Sequence, residues 1–158
     1  MTDAARRFRC TSAVLFAVYS LFMLWLLFGQ RIVQLPQNED YLQHITARIN
    51  LIPFRTIAEF VKASERGISS SHAFINLAGN VVMFIPLGAA LPVIWTRFRG
   101  FWRCMGTALL LLLCIELLQL FSLLGSADID DLILNLVGVG IGYGVFSVLK
   151  RFSPRLFT

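Results

Sequence analysis

Between Trp102 and Leu124 the chain carries only two charged side chains, Arg103 at the start and Glu116 near the far end. These 23 residues, at a rise of about 1.5 Å each, are long enough for one helix to cross a hydrocarbon core about 30 Å thick. Three further apolar runs, at 12–29, 74–94 and 131–149, have the same character. Mean hydropathy is +0.73, and the hydrophobic residues fall in long runs rather than at core spacing. The expected fold is an all-α integral membrane protein of four transmembrane helices, a single domain over residues 1–158.

The net charge of +5 and an isoelectric point near 9.6 raise the question of nucleic acid. The basic residues answer it, because most of them flank apolar runs, as topology signals do. Arg6, Arg7 and Arg9 precede the first run, Arg97, Arg99 and Arg103 fill the turn before the third, and Lys150, Arg151 and Arg155 follow the fourth. The 125–130 connection has none. No nucleic-acid partner is expected, and both termini are placed on the cytoplasmic side. The first run could belong to a signal peptide, but it ends in Leu26-Leu27-Phe28-Gly29-Gln30-Arg31 without a small-residue cleavage site, so a retained helix is expected. Cys10, Cys104 and Cys114 form no CxxC pair, which indicates neither a metal site nor a structural disulfide.

Residues 30–73 form the outer loop of this topology. Asn38 is positioned to cap a helix carrying Leu42, Ile45, Ile49 and Ile52 at helical spacing, up to Pro53. A second amphipathic stretch puts Phe54, Ile57, Val61 and Ile68 on one face. Both are expected as short interfacial helices.

Four carboxylates then lie within 16 residues: Glu116 inside the third span, and Asp128, Asp130 and Asp131 at the mouth of the fourth. Ionisable groups at membrane depth are expensive and usually face protein or water. Counting from Trp102 places Glu116 roughly 21 Å from the inner face, and Asn135 lies about 6 Å below the outer one. Asn76, Asn80 and Gln119 fall near the same level. Spacings of three or four put Glu116 with Gln119, Asn76 with Asn80, and Asp131 with Asn135 and Gly138 on shared faces. The expected result is a polar pocket opening outward, formed by Asn76, Asn80, Glu116, Gln119, Asp128, Asp130, Asp131 and Asn135, with Arg55 as counter-charge or phosphate contact.

Each amide taken singly reads as interhelical glue. Asp128 reads as a helix cap, with Asp130 and Asp131 favouring the same helix dipole. Capping accounts for one or two acids, not for three plus Glu116. As a group they suit ligand binding, or acid–base chemistry with Glu116, Asp130 or Asp131 as the catalytic candidate. GxSxG, HExxH and CxxC are absent; His44 lies on the loop and His72 just before the second span. No cofactor and no metal are expected. Gly138–Gly142 and Gly140–Gly144 give the fourth span two GxxxG spacings suited to close helix approach, including self-association.

The same residues carry a family resemblance. Asn50-Leu51-Ile52-Pro53-Phe54-Arg55-Thr56-Ile57, the Asn76–Gly88 segment, Glu116 with Gln119, and Asp128-Ile129-Asp130-Asp131 with Asn135 resemble ordered motifs of the VanZ-like membrane proteins. The resemblance covers about residues 48–145. It implies a multi-pass protein of the bacterial cytoplasmic membrane, in a family named for low-level resistance to the glycopeptide teicoplanin. The expected function is binding or modification of a lipid-linked envelope component at the outward pocket, with membrane lipids and a cell-wall precursor as partners. Two other classes compete: a membrane-embedded enzyme acting on a lipid, and a small transporter or assembly factor working as an oligomer.

Overall fold

The computed structural model describes residues 3–29, 41–65 and 71–157, leaving aside the side chains of residues 44, 63–65, 71–74 and 76. In chain order the elements are α1 (Asp3–Leu24, running on into a π-helical turn at Trp25–Gly29), α2 (Tyr41–Thr46), β1 (Ile49–Asn50), α3 (Arg55–Glu65), α4 (Ser71–Ile94), α5 (Phe101–Phe121), β2 (Ala127–Asp128) and α6 (Ile129–Phe152). Short 3₁₀ turns occupy Thr96–Phe98 and Pro154–Leu156. Among the described residues, α1 with its π-helical turn, α4, α5 and α6 contain the four helical stretches long and apolar enough to cross a membrane.

The central contact is α4 against α6, and it is a backbone-to-backbone contact. A methyl group added at Gly138 would overlap the carbonyl oxygen of Val81, one at Gly142 that of Ile85, and one at Gly88 that of Val139. Helices in lipid gain little from burying apolar side chains, so close approach through small residues is what holds them. A methyl at Gly140 or Gly144 would meet nothing within 4 Å. The two GxxxG spacings therefore differ: Gly138–Gly142 is closed within the chain and Gly140–Gly144 faces out.

Around this seam Phe84, Leu87, Leu91, Cys104, Ala108, Leu112 and Val139 form the buried core. Here α5 packs on α6, while α1 lies against α4. Tyr19 of α1 donates its hydroxyl to the Met83 carbonyl (2.8 Å). At the end holding both described termini, Phe8, Phe146 and Phe157 meet edge to face at 5.5 Å.

Boundaries differ from those read in the sequence: the second and fourth spans lie in the longer helices Ser71–Ile94 and Ile129–Phe152, and three other differences follow. The first helix starts at Asp3 rather than near residue 12, so Arg6, Arg7 and Arg9 ride on it. The third span ends at Phe121, not Leu124. Leu123 adopts a left-handed backbone (φ 58°), and the Leu123 and Leu124 amides bond back to the Leu120 and Gln119 carbonyls. That is a Schellman termination. A leucine in this conformation costs roughly 1 kcal/mol, offset by burial against Ile45 and Leu120.

The third difference is in the loop. The helix expected to carry Ile49 and Ile52 stops at Thr46, and Ile49–Asn50 instead pairs in parallel with Ala127–Asp128. Pro53 disfavours a helical Ile52, and the Ala127 amide is satisfied by the Arg48 carbonyl (3.0 Å). The second amphipathic stretch is α3. Asn38 and Ile68 lie outside the described residues.

Candidate functional site

The β1–β2 pairing brings the 50–57 segment onto the N-terminus of α6, and the acids of that terminus divide their work. Asp128 caps its own helix, accepting from the Asp130 amide (2.9 Å). The same Oδ1 accepts from Asn50 Nδ2 (3.2 Å), and Oδ2 accepts from the Thr56 hydroxyl (2.6 Å). Asn50 Oδ1 in turn takes the Ile52 amide (3.3 Å), which folds the loop back on itself.

Asp130 reaches across to another helix. It is fully buried (0% exposed), and its carboxylate accepts the backbone amides of Phe54 (2.5 Å), Thr56 (2.8 Å) and Ile57 (3.3 Å). These amides lie at the N-terminus of α3, where orphan donors and the helix dipole favour an anion. A negative charge can be buried here because three donors converge on it. To aim its N–H inward, Phe54 takes a left-handed backbone (φ 63°), and its ring is left 60% exposed.

Asp131 faces α4, where Asn80 donates its amide to Oδ1. Gln119 is buried and donates to the Leu27 carbonyl (3.2 Å), at the π-helical turn that ends the first span. Asn135 is 5% exposed, and its Oδ1 is buried with no hydrogen-bond partner among the described residues. The side chain of Asn76 and those of His44 and His72 lie outside the described set.

Arg55, expected as the counter-charge of the acids, points the other way. Its Nε bonds Glu59 at 3.0 Å on the exposed face of α3, one turn along. The reason is local: Asp128 and Asp130 are already satisfied by amides and side chains of the same loop, so no inward guanidinium is required. Asn50 and Thr56 take that place. Neither was picked out as a site residue from the sequence, although both stand in the 50–57 motif.

What remains is a cleft of about 230 Å³ between α5 and α6. Leu113, Leu117, Ile129 and Leu132 wall it, Leu51 of the loop reaches over it, and Glu116 and Asp128 border it, although its surface is almost wholly apolar. Leu51, Ile52 and Phe54 are all exposed, so the loop presents an apolar rim beside the cleft. Such a site can seat an apolar chain along its walls, with Glu116 at its border. Among the described residues no three His, Cys, Asp or Glu side chains group as a metal site.

Comparison with known proteins adds two findings. The model of the VanZ/LLP1 family matches residues 16–150. Protein VanZ of Enterococcus faecium is 27% identical over 137 residues, which is 87% of this chain and 74% of that protein. No solved structure matches.

Proposed function

The chain belongs to the VanZ/LLP1 family of membrane proteins, and from that premise we propose that it binds a lipid-linked component of the cell envelope in the cleft between α5 and α6. The observation that carries this reading is the pairing of Glu116 with an apolar wall. Leu113, Leu117 and Leu132 offer the surface for an acyl or isoprenoid chain, and Glu116 borders the same cleft as the acid nearest a headgroup. The exposed Leu51, Ile52 and Phe54 support it, since an apolar loop beside a cleft suits insertion at the membrane interface. A tight loop held by Asp128 and the buried Asp130 is also a rigid support for such a rim.

In this reading Asp128 and Asp130 are positioning residues, and Glu116 is the acid that meets the ligand. Asp131 ties α6 to α4 through Asn80. The cleft opens to the outer side and both termini are cytoplasmic, so reporter fusions at Thr158 and at Gln37 should report opposite sides. Tolerance of teicoplanin-type glycopeptides is the envelope phenotype in which the activity should be sought.

Glu116→Gln tests the proposal. It preserves shape while removing the charge and exchanging one acceptor oxygen for a donor, so insertion and purification should match the parent. The envelope phenotype should be lost. Asp131→Asn should cost up to about 1 kcal/mol at the helix dipole and leave the phenotype weakened. Full function in Glu116→Gln would overturn the assignment.

A further inference from the structure

About 27 Å along α6 from Leu132, by its rise per residue, the opposite end of the bundle holds a second cleft. Its volume is about 340 Å³, and three cations from three different elements line it: Arg9 of α1, Arg99 of the turn after α4, and Lys150 at the end of α6. None of its lining residues is acidic. Arginines acting only as topology signals need nothing but water, and Arg97, set over the Phe98 ring at 4.6 Å, fits that description. Arg99 does not. Its Nε is buried and has no hydrogen-bond partner among the described residues. A guanidinium N–H taken out of water calls for an acceptor.

The surroundings are built rather than incidental. Tyr143 of α6 donates to the Arg99 carbonyl (2.6 Å), which fixes the backbone that carries this guanidinium. Phe157, 5% exposed, is clamped between Phe8 and Phe146 and supplies an apolar floor. Thr96 adds a hydroxyl at the rim. Cations over an apolar floor, at the end of a membrane helix bundle, match the chemistry of a phosphate group carried on a lipid.

We propose that this cleft binds a phosphate oxyanion, with Arg99 as its central contact and Arg9 and Lys150 as flanking charges. Both a phospholipid headgroup and a free phosphate present that chemistry. The site is independent of the α5–α6 cleft, and its residues lie at the other end of the molecule.

The test uses the full chain in nanodiscs of phosphatidylcholine with a minor fraction of phosphatidylglycerol, and native mass spectrometry of the lipids retained after detergent transfer. The parent should enrich phosphatidylglycerol at least about 10-fold over its share in the nanodisc, equivalent to about 1.4 kcal/mol. Arg99→Gln with Lys150→Gln should abolish that enrichment, and Arg99→Lys, which keeps the charge but loses the planar fork, should reduce it. Arg97→Gln with Arg103→Gln removes the same charge outside the cleft and should leave the enrichment intact. A parallel arm titrates inorganic phosphate into detergent-purified protein and follows thermal stability. Stabilisation by phosphate without lipid enrichment, lost in the Arg99→Gln/Lys150→Gln variant, would identify a soluble anion as the source. Equal behaviour of the cleft and control variants, or no response to either probe, would overturn the proposal.

Discussion

Asp128 and Asp130 stand two positions apart and hold different things: one caps α6, the other caps α3. That division has a measurable consequence. Asp130→Asn keeps the volume but turns one of two acceptor oxygens into a donor facing backbone amides. A buried hydrogen-bonded carboxylate is worth about 1.5–3 kcal/mol by such a deletion. The expected outcome is a loss of that size in thermal or denaturant stability, with the amides of Phe54, Thr56 and Ile57 losing protection in hydrogen exchange. Parental stability would mean that those amides find other acceptors. Glu116→Gln is the contrasting substitution, because the function proposed for Glu116 is ligand contact rather than loop closure.

Among the elements, the α4–α6 seam separates the glycines of the fourth span into two kinds. Gly138→Ala or Gly142→Ala should destabilise the folded protein by roughly 1–3 kcal/mol, because the added methyl meets a carbonyl oxygen rather than a movable side chain. Gly140→Ala and Gly144→Ala should be neutral or stabilise by up to about 1 kcal/mol, since they enter open space on a helix. Melting curves of the four variants in one detergent decide the matter. A loss of oligomer in the second pair, without a loss of stability, would assign that outer face to self-association. The GxxxG spacing was legible in the sequence, but which pair is buried was not. Both pairs have the same local pattern, and only the docking of Val81 and Ile85 distinguishes them. The same limit applies to Ile49. Its spacing from Leu42 and Ile45 fits a helix, and its pairing with Ala127 depends on a segment 78 positions away.

At the scale of the whole molecule, four spans and their approximate limits could be read from hydropathy, because the length of an apolar run is a local property. The family could be read from the acids, amides and loop motif. The division of those acids could not: Asp130 is adjacent to Asp131, yet one bonds the loop and the other bonds α4. Nor could the pairing of Arg55 with Glu59 rather than with these acids, since sequence does not say that backbone amides answer the carboxylates. Asp128 and Asp130 fasten the loop over the α5–α6 cleft that Glu116 borders, and the function proposed for that cleft is lipid binding. Lipids extracted from the purified parent and from Leu117→Trp, compared by mass spectrometry, test this most directly. Leu117 lines the cleft and is about half exposed, so the larger ring should fill the space without unfolding the bundle. The account predicts a stoichiometric lipid in the parent, absent from a Leu117→Trp variant that melts like the parent. Retention of the same lipid by Leu117→Trp, or a parent that carries none, would contradict it.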